Sequence, residues 1–243
     1  MSLIITTYAP EGIILAGDSR LTLNWNQENN GINNNYSITA SDSNNKVFQI
    51  KEKFGLATFG AADINGIPIS GYINQFIEEK IKTDTEIDEI PQSLHEFFGD
   101  YLAKPETCFY LCGYKLENGI SIPHIYFIDI HHGITTRLNY SGGQIQYGAN
   151  WGGETEVMTR LLNDIKIHNG EEWTDVNATN IPFNFFTLQD AIDFSIYAVR
   201  TTIETFKFQQ RIKTVGGPID ILAIKPNEVQ WIRKKELSAT NPI

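Results

Sequence analysis

Apolar residues recur along the chain with two different spacings, and the switches between them divide it into strands and helices. Residues 3–8 alternate as a strand. Residues 12–17, Gly-Ile-Ile-Leu-Ala-Gly, are apolar almost throughout, as in a strand buried on both faces. The turn Ala9-Pro10-Glu11-Gly12 joins the two as a hairpin. Residues 24–45 are poor in apolar side chains and rich in Asn, with Asn33-Asn34-Asn35 at the centre, and predict a flexible surface loop that extends a hairpin. Residues 46–50 and 54–60 form the next strand pair, across the charged turn Lys51-Glu52-Lys53. The period then lengthens. Ile64, Ile67, Ile73, Phe76, Ile77 and Ile81 predict a helix over much of 63–82, its start perturbed by Gly66-Ile67-Pro68. A second helix spans about 90–102, with Leu94, Phe97, Phe98, Tyr101 and Leu102 on one side. Strands return at 107–116 and 122–130, with shorter ones near 134–139 and 144–147. Helices follow at 154–167 and 188–208, then a closing hairpin of 219–224 and 229–232. The tail, residues 238–243, is polar and reads as frayed.

The order is strands, two helices, strands, two helices, strands. The economical packing for it is α+β, an αββα sandwich with two stacked antiparallel sheets between helix layers, because each sheet must bury both faces. No internal repeat is present. A chain of 243 residues, 41% of them hydrophobic, supplies the core for this as a single domain over 1–243.

Composition narrows the partners. The formal net charge is −10, and no basic stripe interrupts it, so a phosphate backbone is repelled and nucleic acid is not expected. No apolar run approaches the roughly 18 to 20 residues that span a bilayer, so no membrane partner is expected either. The first residues, Met1-Ser2-Leu3-Ile4-Ile5-Thr6-Thr7, lack a basic n-region and a cleavage pattern, so no signal peptide is expected. Cys108 and Cys112 lie four apart on one predicted strand, roughly 13 Å at about 3.3 Å per residue, beyond disulfide reach. They are expected as two buried free thiols, which suits a reducing cytosol. His131-His132 has no further ligand at metal-binding spacing, and Gly142-Gly143 and Gly152-Gly153 are not set in a phosphate loop, so no metal or other cofactor is expected. Trp151 and Trp173 are assigned to packing or subunit contacts.

The candidate chemistry starts where the apolar strand 12–17 ends abruptly in Asp18-Ser19-Arg20. In isolation such a segment is an ordinary satisfied turn. Its context is more specific. Ser2 follows Met1, Lys46 opens an apolar strand after the Asn-rich segment, and Thr58-Phe59-Gly60-Ala61-Ala62-Asp63 joins a strand to a helix. Together with Val215-Gly216-Gly217 before the last hairpin, these residues resemble the proteasome β-type family of N-terminal-nucleophile (Ntn) hydrolases and the related bacterial proteasome-like proteases. The resemblance is densest over residues 2–63.

The resemblance implies a peptidase or amidohydrolase with the family's four-layer fold. Its nucleophile is the Ser2 hydroxyl, exposed once Met1 is removed, and the freed α-amine accepts the proton. Such an amine titrates at about 7.7 to 8.0, close enough to neutrality to act as a base. Lys46 matches the family's lysine and Asp18 the aspartate that fixes it, with Arg20 supporting Asp18 or a nearby carbonyl. The oxyanion donor falls on the Gly60 N–H or, with a slip of one, on that of Phe59. The chain departs from the family pattern elsewhere. Ile212 and Val215 stand where an aspartate and a serine are expected, and Asn150 or Ser141 are weak substitutes for another serine. The nucleophile is Ser rather than the usual Thr. The implied partners are a peptide or protein substrate, further copies in a homo-oligomeric ring, and an ATPase of unknown identity, in the cytoplasm. Two alternatives stand beside this: a catalytically silent assembly protein of the same fold, and an amidase acting on small amides.

Overall fold

The computed structural model describes residues 2–29, 32–101 and 104–236. Met1, Leu102 and the tail 238–243 lie outside the described residues. Strands β1 (Leu3–Ala9) and β2 (Gly12–Gly17) form the first hairpin, buried along both lengths. Next come β3 (Leu21–Asn29) and β4 (Ile32–Ser41), which pair with each other alone. The Asn-rich segment is therefore a two-stranded arm. Trp25 and Tyr36 stack across it at 5.5 Å, the kind of cross-strand aromatic pair that holds an otherwise polar ribbon. Strands β5 (Val47–Ile50) and β6 (Phe54–Gly60) follow as a hairpin.

The helix expected from residue 63 starts later. Asp63–Ile64 (β7) and Ile67–Pro68 (β8) close a small hairpin around Asn65 and Gly66, both at positive φ, and α1 (Ile69–Lys80) begins only after Pro68. Two consecutive positive-φ residues are a hairpin turn, and a proline lacks the N–H that a helix interior needs. Helix α2 (Ile90–Tyr101) leads into β9 (Thr107–Glu117), β10 (Ile120–Asp129), β11 (Ile134–Arg137), and the two-residue strands β12 (Tyr140–Ser141) and β13 (Gln144–Ile145). Strand β14 (Gly148–Gly153) was not expected.

The helix expected over 154–167 is instead α3 (Glu156–Leu162) followed by a hairpin of β15 (Ile165–His168) and β16 (Trp173–Val176). The helix stops at Asn163, which is extended, and the carboxamide of Asn169 accepts the N–H groups of Glu171 and Glu172, both at 2.9 Å, with Gly170 at positive φ, so side-chain turn chemistry closes the hairpin that takes the place of the last helical turns. Helix α4 (Leu188–Phe208) has the predicted bounds. A capping box fixes its start: Thr187 Oγ1 accepts from the Asp190 N–H, and the Asp190 carboxylate accepts from the Thr187 N–H. Strands β17 (Asp220–Lys225) and β18 (Glu228–Arg233) close the described chain.

The architecture is α+β with antiparallel sheets. One five-stranded sheet has the order β14-β1-β2-β17-β18, the other β11-β10-β9-β6-β5. Ile4, Tyr8, Ile13, Leu15, Leu222 and Ile224 of the first sheet pack with Val47, Ala57, Tyr110, Cys112 and Ile125 of the second. Other side chains of the first sheet, such as Leu3, Ile5 and Ile221, pack with Val157 and Met158 of α3 and Ala198, Val199 and Phe206 of α4. Leu56, Phe109 and Ile128 of the second pack with Ile73 and Phe76 of α1 and Leu94 and Phe98 of α2. Cys112 is buried, whereas Cys108 is half-buried, so only one of the two thiols is fully enclosed; both are free. Burial raises both thiols, Cys108 to about 11. Trp151 packs in the α3–α4 core, while Trp173 is exposed and contacts the His168 ring. No helix among the described residues is long and apolar enough to cross a membrane.

Candidate active site

The ends of β1, β2 and β14 meet beside the start of β5. Strand β2 finishes at Gly17, so Asp18 is the first residue free of the ladder, yet its carboxylate is fully enclosed. Strand pairing brings it there: Ile4 opposes Gly17, and the Asp18 N–H reaches the Leu3 carbonyl at 3.3 Å. On the other sheet, Lys46 immediately precedes β5, and its carbonyl accepts the Thr58 N–H at 2.9 Å, which fixes its backbone against β6.

Asp18 and Lys46 form a buried ion pair. Lys46 Nζ lies 2.7 Å from Asp18 Oδ1, with 3% of the lysine side chain exposed and none of the aspartate's. The same Oδ1 accepts the Leu3 N–H at 2.9 Å. Oδ2 accepts the Arg20 N–H at 3.1 Å and the Gly216 N–H at 3.0 Å. Four donors therefore converge on one carboxylate, the saturation a buried charge requires. Burial pulls the Lys46 ammonium below the ordinary lysine value. Asp18 opposes that, and the positive charges of Lys235 and Arg20 add to the lowering. Lys235 belongs to a second buried pair, with Asp220, which opposes Gly17 in the sheet.

Ser2 sits one residue from this pair. The two bonds to Asp18 Oδ1 put the Lys46 ammonium within about 6 Å of the Ser2–Leu3 peptide nitrogen. Ser2 is 8% exposed, and its carbonyl accepts the Glu154 N–H at 2.7 Å. Gly153 makes this close approach possible. It has φ +91°, and a Cβ there would fall on the Ser2 carbonyl.

Gly60, the other candidate, ends β6 at φ +104°, where a Cβ would collide with the Glu106 carbonyl. The following N–H, of Ala61, is already taken by Glu106 O at 2.8 Å, so it is not available to a substrate oxygen. Phe59 opposes Cys108 in the β6–β9 ladder, and its ring lies against Gly152, which in turn opposes Ile4. The β6 terminus and the β1 start thus flank the same end of β14. Arg20 does not reach the Asp18 carboxylate with its guanidinium. That group holds Asp42 through two bonds, 2.6 Å and 2.8 Å, and the Lys213 carbonyl at 3.1 Å; only the Arg20 main chain touches Asp18.

The remaining expected positions lie elsewhere. Val215 is buried in the α3–α4 core, and Ile212 is 47% exposed. Asn150 accepts the Tyr8 hydroxyl at 2.8 Å, and Ser141 is exposed on the β12–β13 hairpin. His131 and His132 contact Lys104 O and Asp129 respectively.

A cluster next to Ser2 was missed. Glu154 is buried; its Oε1 accepts the Thr214 hydroxyl at 2.6 Å and its Oε2 the Arg211 guanidinium at 2.9 Å. Arg211 also bonds Glu156 at 3.1 Å and lies over the Phe206 ring. These partners are more than fifty residues apart in the chain, so no local pattern announces them. The Ser19 hydroxyl, beside Asp18, is buried with no partner among the described residues. No protein-family model matches this chain, and no curated protein matches it.

Proposed function

We propose that the chain is an Ntn hydrolase of the proteasome β type, a peptidase that cleaves amide bonds with the Ser2 hydroxyl after Met1 is removed. The observation that carries this reading is the enclosed Asp18–Lys46 pair, tied through the Leu3 N–H to the residue that follows Ser2. The sequence of packing contacts, helices on sheet on sheet on helices, supports the αββα four-layer fold that the reading requires.

In this mechanism the α-amine of Ser2 accepts the hydroxyl proton as Oγ attacks the amide carbonyl. The Lys46 ammonium lowers the proton affinity of that hydroxyl, and Asp18 holds the lysine in place. The Gly60 N–H, or that of Phe59, faces the developing oxyanion. The amine then protonates the leaving nitrogen, and water hydrolyses the acyl ester. A homo-oligomeric ring in the cytoplasm, acting on peptides or proteins, goes with this reading.

One observation favours the silent assembly protein. An apolar Val215 and an exposed Ile212 occupy the places of the family's supporting serine and aspartate, so they relay no proton. Hydrolysis of a fluorogenic peptide panel separates the two readings, with mass spectrometry reporting each N-terminus. Protein starting at Ser2 is expected to be active and Met1-retaining protein inert. Ser2→Ala and Lys46→Ala are expected to lose about a hundredfold or more, and Ser2→Thr to keep part of the rate. Equal rates with and without Met1 would refute the N-terminal mechanism. Inert protein in every form would leave the assembly reading in its place.

A further inference from the structure

Three of the chain's six arginines, Arg20, Arg200 and Arg233, line a single cavity of about 440 Å³. They arrive from three separate elements: the turn after β2, helix α4 and the end of β18. Lys207 and Glu204 share the lining and neutralise one another at 2.6 Å. Arg20 is neutralised by Asp42. The guanidinium groups of Arg200 and Arg233, both residues exposed, have no hydrogen bond or ion pair among the described residues. Among the described residues the other four arginines, Arg20, Arg137, Arg160 and Arg211, each have a side-chain partner. Two uncompensated guanidinium groups in one concavity repel each other, and a bound anion is what relieves the repulsion.

We infer that this cavity binds a small multivalent anion of the phosphate class. Guanidinium groups match phosphate oxygens two at a time, and a diphosphate offers enough oxygens to engage Arg200 and Arg233 together. The segment Val215-Gly216-Gly217-Pro218 also lines the cavity, and the Gly216 N–H is the one bonded to Asp18 Oδ2. An anion seated here braces the loop that holds the buried carboxylate from behind. The inference does not rest on the hydrolase reading, because the two side chains it depends on, Arg200 and Arg233, take no part in that reading.

Calorimetric titration of the full chain with inorganic pyrophosphate, at fixed ionic strength, tests it. One saturable site per chain is expected. The double variant Arg200→Ala/Arg233→Ala should weaken binding at least tenfold with the melting temperature unchanged, since both side chains are exposed. Titration with ATP separates the two sources of the phosphate: tighter binding than pyrophosphate assigns the site to a nucleotide, and equal or weaker binding to a free anion. Absence of saturable binding to either compound overturns the inference, as does a double alanine variant that binds like the wild type. An Arg200→Lys/Arg233→Lys variant that binds as tightly as the wild type also overturns it, because net charge alone would then account for the binding.

Discussion

Removing either member of the Asp18–Lys46 pair breaks the same contact, yet the two variants are expected to differ in cost. Lys46→Met takes one of four donors from the carboxylate and leaves three backbone N–H groups, from Leu3, Arg20 and Gly216. The loss is that of one buried hydrogen bond to a charged group, about 1 to 3 kcal/mol. Asp18→Asn is worse on two counts. The amide NH2 must face donors whichever way it is turned, since both carboxylate oxygens accept. The buried ammonium also loses its counter-charge. A buried charge stranded in this way costs about 3 to 5 kcal/mol. Asp18→Asn should therefore be less stable than Lys46→Met by about 2 kcal/mol, measured by urea unfolding at pH 7 with m-values held equal. The pH dependence supplies a second reading. Lys46 is depressed when folded and ordinary when unfolded, so the unfolded chain binds more protons between the two values and stability rises with pH across that window. Without Asp18 the depression deepens and the window opens lower. The gap between Asp18→Asn and wild type should narrow as pH rises from 7 toward the ordinary lysine value of about 10.4, and that of Lys46→Met should not. A Lys46→Met variant as costly as Asp18→Asn, or a gap indifferent to pH, refutes the reasoning.

Gly153→Ala forces a Cβ onto the Ser2 carbonyl at positive φ, and should cost at least the roughly 1 to 3 kcal/mol of a strained backbone residue, read as a lowered urea midpoint together with loss of any activity that depends on Ser2. At high pH the phenols reverse the trend of Lys46: burial raises Tyr8 to about 12 and lifts Tyr110 and Tyr114 as well, so the unfolded chain gives up these protons first. Their contribution is intact below about pH 10 and is lost as pH rises toward the folded values; because other tyrosines such as Tyr140 and Tyr197 are exposed, alkaline unfolding followed by circular dichroism should coincide with the last step of the phenolate absorbance, and phenolate absorbance that is complete before unfolding would count against burial of these rings.

Elements with their own local grammar were readable from the chain. Helix α4 carries an amphipathic register and a capping box within its own residues, and both of its ends were predicted. Strand β14, Gly-Ala-Asn-Trp-Gly-Gly, has almost no apolar alternation. It exists because β1 offers a backbone edge to pair with, and three glycines let that pairing come close; hydropathy records neither cause. The same division runs through the site. Asp18 and Lys46 each abut an apolar strand, an ordinary feature alone, and are singled out only through their spacing from Ser2 and the family pattern that the spacing resembles. The Glu154, Arg211 and Thr214 cluster joins residues that are unremarkable where they stand and become a unit only when the loop before β17 folds onto the end of β14.

The donors on Asp18 also set an order of events. Its partners lie 15, 2, 28 and 198 positions away along the chain. Three of them are present as soon as residue 46 has been made. The fourth, the Gly216 amide, is among the last residues of the described chain to be made, and the contact closes a loop of high entropic cost. A nascent chain can therefore hold Ser2, Asp18 and Lys46 at once and still leave the carboxylate one donor short. The constellation is completed only when the loop before β17 docks, so its full coordination doubles as a report that synthesis and folding have run through at least to Gly216.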